Sequence, residues 1–212
     1  MKTLFLLLLI GIPFVSQSQN EAGQFSLGMR STLSLFGDHG KTGIGTGGQF
    51  RIRVHKNINT DWFTDYITTD IAGLARRHDY HIGWSVLFYP TKNPIQEKKI
   101  TPYFIAGHCF DYTEVQANAG IVVNNFTKAS RWSSAVQGGI GAHYNITEAF
   151  DVSLTTQYML HLGKEIDAHT HTNSAGVEEL FIEEAAHQGL EGHLLTTLSM
   201  NYKIANLWNR KK

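Results

Sequence analysis

Residues 24–35, Gln-Phe-Ser-Leu-Gly-Met-Arg-Ser-Thr-Leu-Ser-Leu, alternate between apolar and polar side chains. Phe25, Leu27 and Met29 fall on one side of the alternation, and Ser26 and Arg30 fall on the other. Successive side chains of a β-strand point to opposite faces of the sheet. The stretch therefore predicts a strand with one apolar face and one polar face.

The same alternation recurs along the chain with varying clarity. It predicts eight strands, at 24–35, 45–54, 59–69, 79–90, 101–113, 131–144, 149–161 and 189–203. Their polar faces carry charged side chains, which a dry interior tolerates only when they are paired. In a transmembrane β-barrel the apolar side chains face lipid and the polar ones face inward. We therefore predict an all-β fold, an eight-stranded antiparallel transmembrane barrel of the up-and-down type.

The strand at 101–113 has two possible registers. One candidate lipid-facing set is Phe104, Ala106, Phe110 and Tyr112, and the other is Tyr103, Ile105 and Cys109. Cys109 is the single cysteine, so an internal disulfide is excluded. We expect it to be a small packed residue rather than a reactive thiol.

The first residues have the pattern of a signal peptide. Lys2 precedes an apolar run at 4–15 that is too short to span a bilayer. Small residues at Ser16 and Ser18 predict cleavage after Ser18, and no cysteine follows that would carry a lipid anchor. The expected organisation is a signal peptide at 1–18, a barrel at 19–203 and a short basic periplasmic tail at 204–212.

The composition and the short motifs of the chain argue against several classes of function. Lys plus Arg equals Asp plus Glu at 18 each, so there is no electrostatic case for a nucleic-acid partner. The glycine-rich run 43–48 superficially resembles a dinucleotide fingerprint, but no helical pattern follows it. A Gly-x-Ser-x-Gly elbow is also missing from the sequence.

The spacing of the predicted strands indicates how they are connected. The second, fourth and sixth links are expected to be short and the last link the longest, which places both termini in the periplasm. Seven aromatic residues lie near strand ends or in mid-wall, where several are expected to form girdles at the lipid–water boundary. They are Trp62, Tyr66, Trp84, Tyr89, Trp132, Tyr144 and Tyr158.

The signal peptide ending at 16–19, the first strand 24–28, the stretch 101–107 and the closing strand 198–202 together resemble the small outer-membrane barrels of OmpA/OmpX type. The resemblance is closest in kind to the barrel proteins common in Bacteroidetes. It covers nearly all of the mature chain and is one of pattern, without a diagnostic motif. It implies localisation in the outer membrane and contact with its lipid. The chain departs from the pattern because residues 203–212 continue past Tyr202, where such barrels often end on an aromatic residue.

An eight-stranded barrel has only enough interior for side chains, so we predict no open pore. The residues expected to project inward are Arg30, Arg51, Arg53, Asp61, Asp65, Asp79, His81, His143, Asp151 and Glu191. Buried charges need partners, and we expect Arg51 or Arg53 to pair with Asp65 or a neighbouring acid. The central polar cluster is predicted to comprise Arg30, Arg51, Arg53, Asp65, His81 and His143.

The link between the last two predicted strands carries a candidate metal site. Residues 177–187 are predicted to be helical, which places Glu183 and Glu184 on one face with His187. Together with two upstream histidines, the candidate ligands are His169, His171, Glu184 and His187. Imidazole with carboxylate suits zinc, iron, nickel or copper. The alternative is that these are ordinary side chains of a solvated loop.

The sequence is compatible with three functional hypotheses. The leading hypothesis is a non-enzymatic outer-membrane barrel with a structural, adhesion or partner-binding role. Its loop 114–130 includes an apolar patch at 119–123, which either contacts a protein partner or extends the neighbouring strands. The second is an outer-membrane lipid-modifying enzyme that uses His161, His193, Glu191 and a serine near the outer rim. The third is a soluble periplasmic barrel that binds a small apolar ligand. The pattern specifies neither the ligand nor the oligomeric state.

Overall fold

The computed structural model describes residues 22–36, 42–91, 96–121, 123 and 126–208. The predicted signal peptide at 1–18 and the last four residues of the predicted tail lie outside the described residues. Among the described residues, no helix is long and apolar enough to cross a membrane.

Eight antiparallel strands form one closed barrel in which each strand pairs with its sequence neighbours and the first closes on the last. The strands are β1 (Gln24–Phe36), β2 (Thr42–His55), β3 (Ile58–Ile71), β4 (Ala75–Phe88), β5 (Ile100–Ala117), β6 (Lys128–Asn145), β7 (Phe150–Thr172) and β8 (Glu178–Asn206). The predicted fold class is confirmed. We call the end where β1 begins and β8 ends the termini end, and the opposite end the hairpin end.

The structure settles the register of β5. Phe104 and Phe110 are exposed on the outer wall, whereas Tyr103, Ile105 and Cys109 are buried inside. Cys109 is a packed residue as expected, with its Sγ 3.7 Å from Sδ of Met159. The register with Cys109 facing inward also buries the polar Asp111 and Thr113, which the other register would direct to the outer wall.

The last link differs from the prediction. Residues 178–187 belong to β8, and β7 and β8 stay paired until the turn at 173–177. The expected helix is therefore wrong. The inward positions Ile166, Ala168, Leu180 and Ile182 alternate with period two and are buried together, which favours a strand. The long predicted loop is thus an extension of the barrel wall.

The other link lengths also depart from the expected alternation. β3 and β4 are joined by residues 72–74 at the hairpin end, whereas the link at the termini end between β4 and β5 covers residues 89–99. The tight turn has positive φ at Ala72 (53°) and Gly73 (72°). Turns of this kind match the twist of the two strands they join.

An apolar cap closes the hairpin end of the barrel. Its core is Ile71, Ala75, Val115, Ala129, Ile166, Ala168, Leu180 and Ile182, with Ile121 and Val123 packed against it. Val123 also forms a parallel bridge with Leu180 of β8. Ile121 and Val123 of the predicted patch at 119–123 therefore contact the protein's own core. This differs from both predicted roles, a contact with a protein partner and an extension of the neighbouring strands.

Gly47 marks a close approach between β2 and β3. A Cβ at Gly47 would lie 2.0 Å from the carbonyl oxygen of Thr64 and 2.3 Å from Oδ1 of Asp65, whereas a Cβ at Gly48 would meet nothing nearer than 3.9 Å. We expect Gly47→Ala to lower the free energy of unfolding by about 1–3 kcal/mol because overpacking forces the strands apart. Gly48→Ala is the matched control, and its unfolding midpoint in urea should equal or exceed that of the wild type. Equal midpoints for the two variants would contradict the close approach.

Candidate functional site

The barrel interior is layered between its two ends. Inward residues of β5 mark the layers in order: Tyr103 in a polar layer, Cys109 in an apolar layer, Asp111 in a second polar layer and Val115 in the apolar cap. The apolar layer comprises Phe63, Ile67, Cys109, Ala135, Met159 and Leu195. It lies between the two polar layers, and Asp65, which is between Phe63 and Ile67 on β3, places one ion pair within it.

The polar layer at the termini end contains three residues of the predicted central cluster, Arg51, Arg53 and His143. Arg51 lies 3.3 Å from Asp151 and 3.9 Å from Asp61, so its carboxylate partners are neighbouring acids rather than Asp65. Arg53 donates from Nε to Oδ1 of Asn59 at 3.2 Å. His143 hydrogen-bonds through Nε2 to the hydroxyl of Tyr89 at 2.7 Å.

Asp65 is inward as predicted but has a different partner from the one expected, and Tyr89 has a different position. Asp65 pairs with Arg30 at 3.0 Å, and the Arg30 guanidinium lies 4.3 Å from the centre of the Phe63 ring. Tyr89 was predicted to be an interfacial aromatic, but it is fully buried. Its hydroxyl is held by Asn59 and His143, so this aromatic belongs to the interior network.

The second polar layer holds an ion cluster beneath the apolar cap. Arg77 donates from Nε to Asp79 at 2.9 Å and from Nη1 to Glu191 at 2.7 Å. Arg131 donates from Nη2 to the other oxygen of Glu191. Glu191 therefore joins β8 to both β4 and β6 across the barrel.

Three histidines lie between this ion cluster and the apolar layer. His81, His161 and His193 are each no more than 1% exposed. One ring nitrogen from each lies within 4.8 Å of the other two. Nε2 of His161 and Nε2 of His193 are 2.9 Å apart. His81 comes from β4, and the other two come from β7 and β8 on the far side of the barrel.

Oxygen atoms lie close to the Nδ1 atoms of His193 and His161. Ser34 Oγ lies 2.8 Å from Nδ1 of His193. Asp111 Oδ2 lies 3.1 Å from Nδ1 of His161, and Asp111 Oδ1 lies 3.2 Å from Nε2 of His81. In the described part of the structure, neither ring nitrogen of His81 has a hydrogen-bond partner. The rings of His161 and His193 are thus fixed in orientation through their Nδ1 atoms.

The arrangement differs from a hydrolytic triad. In such a triad the serine and the carboxylate bond to different nitrogens of one imidazole. Here Ser133 Oγ and Asp111 Oδ2 both approach Nδ1 of His161, at 3.3 Å and 3.1 Å. His161 and His193, which the enzyme hypothesis had placed at the outer rim, are buried inside the barrel instead. The buried positions of both histidines therefore give no support to a role as general base in lipid modification.

The four metal ligands predicted from the sequence are spread along the extension of β7 and β8. His169 lies across from Phe181, His171 across from Glu179, and Glu184 across from Ile166. His187 lies on β8 one residue before Gln188, which pairs with Lys164. In a strand, the three- and four-residue spacings no longer bring these side chains together as they would in a helix. Metal binding by these four residues stays a prediction.

The histidine cluster could be only partly inferred from the sequence. The inward position of His81 follows from period two on its strand, and that of His161 follows in the same way. Their proximity depends on which strands face each other across the barrel, because β4 is not a neighbour of β7 or β8. Asp111 was missed because the register of its strand was ambiguous.

The outer wall of the barrel is apolar. Aromatic rings of four successive strands, Tyr66, Tyr80, Tyr112 and Trp132, form a row with centroids 4.9, 6.0 and 5.0 Å apart. Tyr80 and Phe88 on β4 are eight residues apart, which is about 26 Å along the strand and about 20 Å along a barrel axis after allowing for tilt. Exposed apolar side chains such as Ile82 and Val136 lie between these limits. The wall thus has a belt of roughly the height of a bilayer core.

Comparison with known proteins agrees with this geometry. The chain is similar to the crystal structure of Neisserial surface protein A, with 12% sequence identity, a TM-score of 0.53, and coverage of 85% of this chain and 96% of that one. It is also similar to a major outer membrane protein from Thermus thermophilus, with 12% identity, a TM-score of 0.57, and coverage of 85% and 98%. No protein-family model and no curated protein sequence matches the chain. The chain has the fold of small outer-membrane β-barrels.

Proposed function

We propose that this protein is a non-enzymatic outer-membrane barrel that presents its hairpin end to partners outside the cell. The observation that carries the proposal is the reversal of polarity across the wall. Large apolar side chains are exposed on the outside, while arginines, aspartates and histidines are buried inside. A water-soluble protein would place these groups the other way round, whereas a barrel in lipid requires this arrangement.

The interior supports a closed barrel rather than a pore. Two cavities between the polar side chains of the described residues have volumes of about 10 Å³ each. A cavity of this size holds about one water molecule. With the apolar layer and the cap above them, these cavities offer no continuous path for ions.

The hairpin end supports a role in partner binding. The pairing of β6 with β7 is described as far as Ser134 and Leu162, whereas β7 and β8 remain paired to Thr172 and Glu178. The two strands therefore project beyond their neighbours. Because Val123 already bridges to Leu180 of β8, the edge of β7 beyond Leu162 is the one to which a partner strand can add.

Location and orientation are tested together by inserting one epitope at either of two turns. One variant carries it between Ser174 and Ala175, and the matched control carries it between Thr147 and Glu148 at the termini end. We expect both to fractionate with the outer membrane and to change mobility in SDS on boiling. Antibody should label the first on intact cells and the second only after lysis. Release without detergent, or the reverse labelling, would overturn the proposal.

A further inference from the structure

We propose that His81, His161 and His193 bind one divalent transition-metal ion, of the class of Zn²⁺, inside the barrel. The inference does not depend on the proposed partner-binding role. Three imidazoles with ligand atoms within 4.8 Å of one another form a donor set of the kind that binds zinc. Because these residues come from β4, β7 and β8, the ion would cross-link opposite walls and act as a structural centre.

The groups behind the rings are those that a metal site needs. Histidine ligands usually hydrogen-bond through the nitrogen that does not face the metal, and this fixes the tautomer and the ring orientation. Ser34 occupies that position on His193 at 2.8 Å, and Asp111 occupies it on His161 at 3.1 Å. Both rings are left with Nε2 directed at the shared centre, where these atoms lie 2.9 Å apart.

His81 is buried with unsatisfied ring nitrogens, which is a second observation at the cluster. The residue is 0% exposed, and neither its Nδ1 nor its Nε2 makes a hydrogen bond within the described part of the structure. Buried polar atoms of this kind are rare and call for an explanation such as an ion. Its Nε2 lies 3.2 Å from Asp111 Oδ1, so this carboxylate is close enough to orient the ring while a nitrogen binds a metal.

The charges around the cluster favour a cation. The second polar layer contains the guanidinium groups of Arg77 and Arg131 and the carboxylates of Asp79, Asp111 and Glu191. Both guanidinium groups contact Glu191 and one contacts Asp79, while the contacts of Asp111 are to histidines, Thr113 and Ser133. Asp111 is thus the carboxylate available to balance a metal. The apolar layer on one side and the cap on the other exclude water, which strengthens this attraction.

A purely hydrogen-bonded cluster is the competing explanation, and metal content separates the two. The untagged chain is refolded into detergent with equimolar Zn²⁺, treated with a chelator and measured by elemental analysis. We expect one zinc per barrel for the wild type and for His143→Gln, a matched control at another buried histidine. His193→Gln should lose the zinc. A double variant, His169→Gln with His171→Gln, should retain it, which separates this site from the one predicted from sequence.

Refolding with Co²⁺ supplies a second readout that does not require a ligand variant to fold. We expect visible absorption bands of nitrogen-ligated cobalt, and Ser34→Ala should weaken cobalt binding about 10- to 100-fold because it removes a supporting hydrogen bond. Folding of every variant is verified by its change of mobility in SDS on boiling. A wild-type barrel without bound metal, or zinc retained in full by folded His193→Gln, would overturn the proposal.

Discussion

Glu191→Gln is expected to lower the free energy of unfolding by about 3–5 kcal/mol, the cost of removing one charge from a buried ion cluster. Glu191 accepts hydrogen bonds from Arg77 and Arg131, and all three side chains are no more than 9% exposed. The glutamine is nearly isosteric, so packing is preserved while two guanidinium groups lose a shared carboxylate. Urea unfolding in lipid vesicles measures the difference.

The matched control is Glu114→Gln, which removes a carboxylate of the same type from an ion pair near the hairpin end. Glu114 lies 2.9 Å from Lys128, whose side chain is 52% exposed. Exposed pairs of this kind contribute about 0–1 kcal/mol because water screens them. Equal losses in the two variants would show that burial does not set the strength of the Glu191 cluster.

Strand positions were predictable because the surroundings change from lipid outside to a polar interior across the barrel wall. Each residue faces either lipid or the polar interior, so period two appears directly in a sequence such as 24–35. The prediction failed where that contrast ends. Beyond Leu162 the inward positions Ile166 and Ala168 are apolar and belong to the cap, so a polar inner face no longer marks the strand there.

The site was less predictable than the wall because its contacts cross the barrel. Pairing between adjacent strands follows from their order, but the approach of His81 to His161 and His193 depends on strand tilt and on the number of strands between them. Sequence reasoning placed these histidines in different roles. It also favoured Glu184 with His187, whose three-residue spacing brings two side chains together in a helix, whereas both residues belong to strand β8.

Val136→Arg is expected to lower the free energy of unfolding in lipid vesicles by about 2–4 kcal/mol, the cost of an arginine on the lipid face near the bilayer midplane. Val136 is exposed on the outer wall and pairs with His108 and Leu160. On β6 it lies midway between Trp132, in the aromatic row, and Ile140, which pairs with Phe104. Hydrocarbon cannot solvate a guanidinium group at this depth.

Gln116→Arg is the matched control, because it places the same side chain on the outer wall beyond the aromatic row. Gln116 is four residues from Tyr112 on β5, towards the hairpin end. An arginine near or beyond the interface should cost no more than about 1 kcal/mol. In a water-soluble barrel both substitutions would be ordinary surface changes, within about 0.5 kcal/mol of the wild type. Equal unfolding midpoints for the two variants would therefore contradict a lipid-facing wall, and a selective loss in Val136→Arg would support it.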